Sequence, residues 1–361
     1  MKVAELLPLL SGLAPQGLAS SWDNVGLQVG SPAWSFDKIL LTLDVTPSVI
    51  SYAIEHNFGL ILSHHPFIFK PISAVTRPEI LTLIEHKIAV VAMHTNLDVV
   101  PRGVNYALAE TLGIKVTGFL SSETGSNWLH GSVTAPPLYL DKLADAIQAA
   151  GAGRIGFYDN CSTRHEITGT FRPLEGARHF LGQPEDMEIV VEIELEFMVD
   201  SFNLSAVKQA IASVHPYETP AVYFTAVEND NPAYGLGLIG DLEQELTLRA
   251  FAELVKAKLF APYVQLWKAG KEDSVMIKKV AVCGGAGGSL INKATGLADV
   301  FVTGDINYHA MLDSRIPLVN AGHFYTEYPV LPKLSEMLKA NSIASEVYPA
   351  QLHEVNGNIL L

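Results

Sequence analysis

The feature that most constrains this chain is a set of short, almost wholly apolar runs, separated by helix-like segments and ending in residues of metal-ligand type. Lys38 to Asp44, Leu60 to Leu62, Ile88 to Met93, Val280 to Cys283, Val300 to Val302 and Ile316 to Val319 read as strands. A strand apolar on both sides needs cover on both faces, and helical connections make such a sheet largely parallel. Thr46 is placed to cap a helix running to about His56. Glu79 to His86 and Asn105 to Leu112 follow as helices, the latter stopped by Gly113, and Leu248 to Leu259 resumes the alternation. In open α/β sheets ligands bind beyond the carboxyl ends of the strands, so one sheet edge is expected to gather the terminating residues.

The pattern changes between about Ser126 and Asp230. His130 to Ala135 reads as a strand, Asp141 to Ala150 as a helix, and Arg164 to Arg172 as a further strand. Met187 to Met198 places Ile189, Val191, Ile193, Leu195 and Phe197 on one side and mostly glutamates on the other, a strand with one solvated face. A helix over Leu204 to Val214 and a strand over Ala221 to Val227 complete a β-α-β-β-α-β order, which is ferredoxin-like. The expected organisation is a layered α/β/α domain in two halves, 1–125 and 231–361, split by an inserted α+β domain over 126–230.

Bulk properties narrow the function classes. The 361-residue chain, 48% hydrophobic, suits two or three folded domains. A formal charge of −14 argues against a duplex DNA-binding surface, which normally carries a basic footprint. Cys161 and Cys283 are the only cysteines and lack metal or redox spacing, so a reducing compartment is the default. The leucine-rich N-terminus holds Glu5, Pro8 and Pro15 and reads as a short surface helix rather than a signal peptide. No apolar run approaches the ~18 residues of a membrane span. A cytoplasmic protein without membrane partners is expected.

Four strand-end stretches carry the chemistry: Ser63-His64-His65-Pro66, His94-Thr95-Asn96-Leu97-Asp98, Thr303-Gly304-Asp305 and Gly322-His323-Phe324-Tyr325-Thr326-Glu327. Imidazoles and carboxylates without thiolates suit two divalent cations of the Zn, Fe or Mn type. Adjacent histidines on extended backbone face opposite ways, so His64 and His65 are expected to serve different ions, or one ion and its surroundings. His323 and Glu327 share a face if their segment is helical. A carboxylate can bridge two cations, which makes Glu327 or Asp98 the better bridge. His94, Asp305 and His309 form a further group, as ligands, acid/base groups or partners that orient the ligating imidazoles. Asp23 and Asn24, beside Trp22, are candidates to line the site on the substrate side. The Gly284 to Ser289 run lacks the Lys-Ser/Thr of a P-loop and reads as a tight strand-to-helix turn. His215 and Glu218, in a Pro-flanked stretch, read as a helix-to-strand passage outside the main site.

With those residues in place, Trp22-Asp23-Asn24-Val25-Gly26-Leu27, the Ser63-His64-His65-Pro66 stretch followed by Phe69-Lys70-Pro71, the His94 to Asp98 stretch, Thr303-Gly304-Asp305, and Gly322-His323 with Glu327 resemble the NGG-one-interacting factor three family. That family is also catalogued as GTP cyclohydrolase 1 type 2 homologues. The motifs occur in order and span both α/β halves, and the middle segment resembles the PII/CutA-like insert of longer bacterial members. The resemblance implies a dinuclear centre held by His64, His65, Asp98, His323 and Glu327, and a toroidal homohexamer. Two functions follow as expectations: a divalent-metal-dependent hydrolase of a small nucleotide-like substrate, or a non-catalytic metal-binding or regulatory protein with an effector-sensing insert.

Overall fold

Two sheets, rather than one, collect the apolar runs of the chain's outer segments. The computed structural model describes residues 1–122, 124, 126–156, 158–349 and 354–355. Its strands are β1 (Gly26–Val29), β2 (Lys38–Thr42), β3 (Leu60–Ser63), β4 (Ala89–Ala92), β5 (Ile114–Ser121), β6 (Trp128–Ala135), β7 (Ser162–Phe171) and β8 (Glu188–Asp200). After them come β9 (Val222–Ala226), β10 (Leu236–Thr247), β11 (Gln265–Trp267), β12 (Met276–Val282), β13 (Val300–Thr303), β14 (Leu318–Asn320) and β15 (Ala344–Val347). The chain forms two compact units, one of residues 1–125 with 234–361 and one of residues 126–233.

In the first unit a five-stranded sheet runs β1-β4-β3-β2-β15 and a six-stranded sheet runs β11-β14-β13-β12-β10-β5. The central ladders β2–β3–β4 and β12–β13–β14 are parallel. Every residue of β3, β4 and β13 is buried, as their unbroken apolarity requires. The single sheet edge expected from sequence is therefore corrected to two. The strands missing from the sequence pattern, β1, β5, β10, β11 and β15, are short, partly exposed or flanking, so periodicity does not mark them.

Local signals set the helices. Thr46 caps the helix Pro47–Glu55 by accepting from Val49 N, and Gly113 ends the helix Val104–Thr111 at φ +73°. The N-terminal helix Val3–Leu13 is not a purely surface element, because Val3, Leu6 and Leu10 are buried. One apolar core joins Leu40, Ile61 and Val90 to Val49, Ile50 and Leu83, and a larger one joins Val280, Val302 and Val319 to Phe251 and Val255. Packed side chains of this kind hold the strand ends in register with each other.

The second unit is a four-stranded antiparallel sheet in the order β7-β8-β6-β9. Helices Leu140–Ala149 and Leu204–Val214 cover one face, burying Leu143, Ile147, Val207 and Ile211 against Val133, Leu195, Phe197 and Val199. Alternation along β8 leaves Glu192, Glu194 and Glu196 on the other face, but that face is not simply the solvated one expected: Glu192 is buried, while Ile189 and Val191 of the apolar side are exposed. No helix among the described residues is long and apolar enough to cross a membrane.

Candidate metal centre

Strands β3 and β4 from one sheet and β13 and β14 from the other end around a common cluster of imidazoles and carboxylates. Beyond β3 the backbone keeps bonding for two residues, with His64 N donating to Thr42 O at 3.1 Å and His65 N to Leu43 O at 2.9 Å. Ser63 Oγ donates to His65 O at 2.9 Å, which draws the chain into a bend. The opposed orientation expected of adjacent histidines is thereby overturned. The strand stops at Ser63, the pleat no longer separates the two residues, and their rings lie 5.0 Å apart. Ligand atoms of His64, His65 and His94 all fall within 4.8 Å of one another.

The other sheet contributes the counter-charge. His323–Glu327 is a single helical turn, so the four-residue spacing brings His323 Nε2 to 3.0 Å from Glu327 Oε1. Glu327 is buried, with His64 Nε2 at 3.6 Å from Oε1 and His65 Nε2 at 3.0 Å from Oε2. Asp98 Oδ1 stands 3.7 Å from His64 Nε2. His65, His323 and Glu327 make a second group whose ligand atoms lie within 4.8 Å of one another.

All four imidazoles are oriented in the same way. Nδ1 donates to Met93 O from His64 (2.8 Å), to Asp44 from His65 (2.8 Å), to Asp23 from His94 (2.9 Å) and to Asp305 from His323 (2.7 Å). Carbonyl and carboxylate oxygens only accept, so each Nδ1 carries a proton, and each neutral ring keeps a lone pair on Nε2. His64 Nε2 and Glu327 Oε2 are buried without a hydrogen bond. With the rings neutral these buried acceptors converge on one another, and a proton or a metal cation between them would satisfy both.

Electrostatics points the same way. Burial would lower the His64 pKa, but the Glu327 charge overrides it and the net shift is upward. Burial also opposes His65, yet Asp44 and Glu327 carry it to about 10. The hydrogen bond to Glu327, with help from Asp305, lifts His323 to about 9. Glu327 itself lies well below the usual carboxylate range: burial pushes it up, and His64 with the other imidazoles more than reverses that. Burial, reinforced by the nearby Glu327 charge, raises Asp98. The pocket therefore favours positive charge at its centre, as protons or as metal ions.

Supporting residues surround this core. Asp23 accepts from His94 Nδ1, Thr95 N and Thr95 Oγ1; burial opposes these bonds, but they bring its pKa down to about 2. Exposed Trp22 and Phe69 form a ring pair with centroids 5.9 Å apart, and Trp22 also packs edgewise on His94 at 6.0 Å. Gly285, at φ +64°, lies so close to Glu327 Oε1 that a Cβ there would collide with it, and its N–H donates to Thr326 Oγ1 at 2.9 Å. The glycine-rich turn thus forms a wall of the cluster as well as leading into a helical turn over Gly287–Leu290.

Most of the sequence candidates meet here. His64, His65, His94, Asp98, His323 and Glu327 converge, while Asp305 and Asp23 orient imidazoles. His309 does not join them among the described residues: the helix Tyr308–Asp313 starts only after the Asn307 cap, so Asp305 and His309 do not share a helical face. Asn24 instead ties the loop after His65, donating to Ile68 O. Asp44, Gly285 and Thr326 were missed by sequence reasoning. Asp44 had the same signal as the others, a carboxylate ending an apolar strand, while the other two have no signal apart from the fold.

A model of the Duf34/NIF3 (NGG1p interacting factor 3) family matches residues 1–354. The chain belongs to this family. It is 39% identical over 365 residues to the "GTP cyclohydrolase 1 type 2 homolog" of Staphylococcus epidermidis, covering 99% of this chain and 98% of that protein. The protein of the same name from Staphylococcus aureus is 36% identical over 346 residues, 94% of this chain and 93% of its own. Among solved structures, the Bacillus cereus protein related to NIF3 superposes with a TM-score of 0.80 at 33% identity, over 97% of both chains. This NIF3 member is a mixed α/β protein with several sheets and a His/Glu group able to hold metal.

Proposed function

We propose that this NIF3 protein is a divalent-metal-dependent hydrolase of a nucleotide-like substrate, built on a dinuclear centre. The observation that carries the reading is the common orientation of four imidazoles, each held at Nδ1, three of which bring Nε2 to 3.6 Å or less from buried Glu327. His64, His65, Asp98, His323 and Glu327 would hold two cations of the Zn, Fe or Mn class. Glu327 suits the bridging position because Oε2 meets His65 while Oε1 meets His64 and His323. Such ions would supply Lewis acidity and lower the pKa of a bound water.

The chain's own groups account for the remaining steps. His94, fixed by Asp23, offers Nε2 on the same side as His64 and His65 and is placed to hold or pass a proton there. The exposed Trp22–Phe69 pair offers ring faces on which a base can stack next to that proton carrier. The relatives' name, "GTP cyclohydrolase 1 type 2 homolog", agrees with a nucleotide-like substrate.

The same reading extends to the architecture. The unit of residues 126–233, with its β-α-β-β-α-β order and β9-β6-β8-β7 antiparallel sheet, is read as a ferredoxin-like, PII/CutA-like insert in the metal-site domain. A cytoplasmic homohexamer completes it, which sedimentation tests directly. Metal analysis of freshly purified protein should find two ions per chain, with turnover of a nucleotide panel that Glu327→Gln abolishes while the fold persists. Fewer than two ions removes the dinuclear centre; unchanged turnover in the variant removes the hydrolase.

A further inference from the structure

The connection between β7 and β8 lines a half-open cavity of about 710 Å³ over the sheet face of the second unit that its helices leave uncovered. That size suits a ligand of nucleotide dimensions. Arg178 pins the connection by donating from its backbone N to Glu218 Oε2 at 3.0 Å and from Nη2 to Oε1 at 3.3 Å. Phe171 and Phe180 flank Tyr217, with ring centroids 6.3 and 6.0 Å from it. Three aromatic rings therefore cluster on one part of the lining.

At the base stands Glu192, only 6% exposed. Gly169 makes room for it, since a Cβ at that position would lie 2.9 Å from Glu192 Oε2. Burial raises the Tyr217 pKa, and the approach of its hydroxyl to the Glu192 carboxylate as a donor, together with that group's charge, adds to the effect. Even so, neither Tyr217 Oη nor Glu192 Oε1 completes a hydrogen bond among the described residues. Tyr217 Oη stands beside this carboxylate with its bond incomplete, so a ligand N–H would satisfy a lone pair left over. Arg172 lines the same cavity, is exposed, and makes no ion pair among the described residues.

We propose that this cavity is a binding site for an amino-bearing purine nucleotide. The ring stacks among Phe171, Phe180 and Tyr217, its exocyclic amine donates to Glu192 Oε1, and its phosphate reaches Arg172. The site uses no residue of the metal centre and stands whether or not that centre is catalytic.

Calorimetric titration of the full chain with GMP, AMP and IMP tests it. GMP and AMP, which carry the amine, should saturate at one per chain, with IMP about tenfold weaker for want of that donor. Glu192→Gln should weaken GMP about tenfold and level it with IMP. Arg172→Ala should weaken GMP but leave guanosine unchanged, whereas His323→Ala should leave GMP binding intact. Hydrogen exchange on the unaltered protein provides a second measurement, with GMP slowing exchange over residues 171–181. Absence of saturable binding, equal affinity for IMP, indifference to Glu192→Gln, loss of binding in His323→Ala, or protection confined to other segments would each overturn the proposal.

Discussion

Asp44 offers the sharpest test of how the cluster is held. It touches no other member of the cluster, and its contribution is the 2.8 Å hydrogen bond from His65 Nδ1. Replacing it with alanine leaves His65 free to rotate and to take the other tautomer, which would turn a protonated Nε2 toward Glu327. Loss of an orienting partner of this kind costs about 10–100-fold in metal affinity. The Asp44 side chain is 52% exposed, so water can replace part of the bond and the loss should fall near the lower end. About tenfold corresponds to about 1.4 kcal/mol. Competition against a chelator of known affinity reads this directly on Asp44→Ala, and Asp44→Asn should recover part of the loss because its carbonyl still accepts. Fully buried Asp23 is the contrasting case. If His94 carries protons rather than metal, Asp23→Ala should slow turnover yet leave metal affinity within about twofold. An Asp44→Ala protein that binds metal as the parent does, with its fold intact, would refute the reasoning that Nδ1 contacts set the site.

Three further outcomes follow from the packing. Gly285→Ala should reduce bound metal, because the new Cβ meets Glu327 Oε1 and φ +64° strains a non-glycine residue by about 1 kcal/mol; metal analysis beside a thermal melt separates the two effects. His215 should make the second unit acid-sensitive. Its Nε2 donates to Thr134 O at 2.8 Å and its Nδ1 accepts from Tyr217 N at 3.1 Å, so a second proton would break the latter bond. Burial, only partly offset by the Thr134 bond and Glu192, lowers its pKa from 6.5. The unfolded chain then binds the proton more readily, and the stability His215 contributes is complete above about pH 6.5 and lost as pH falls below it; melts of the parent minus those of His215→Gln should show that loss. Cys283 is buried, which pushes its thiol pKa up, while Cys161 is half-buried. Iodoacetamide should therefore label Cys161 alone in the native protein, as peptide mapping would show.

The site was more legible in the sequence than the sheets that build it. An apolar run ending in His or Asp is a local signal, and it marked His64, His65, Asp98, Asp305 and His323 without any knowledge of pairing. The four-residue interval of His323 and Glu327 carried real geometry because Gly322 opens a helical turn there. The same interval between Asp305 and His309 carried none, since Asn307 delays the helix by capping it. Which strands share a sheet is a matter of long-range pairing. Nothing local tells β3 and β4 that β13 and β14 belong to a second sheet, and the weakly patterned β5, β10 and β15 escaped notice for the same reason.

Ladder register also explains why Asp44 and Gly285 were missed, although Asp23 and Asp305, which orient imidazoles too, stood among the sequence candidates. A residue of metal-ligand type needs only to end a strand, so sequence exposes it. An orienting group must meet a particular ring atom, so its position depends on how two ladders align. Asp44 reaches His65 from the neighbouring strand because β2 and β3 pair in register, Thr42 opposite Ser63. Gly285 reaches Glu327 only because β12 and β14 flank β13 in parallel, bringing the turn after one against the helix after the other. The geometry of the cluster is thus fixed by ladder register, and a change that slips β2 against β3 by one residue would unseat His65 without altering any residue of the cluster.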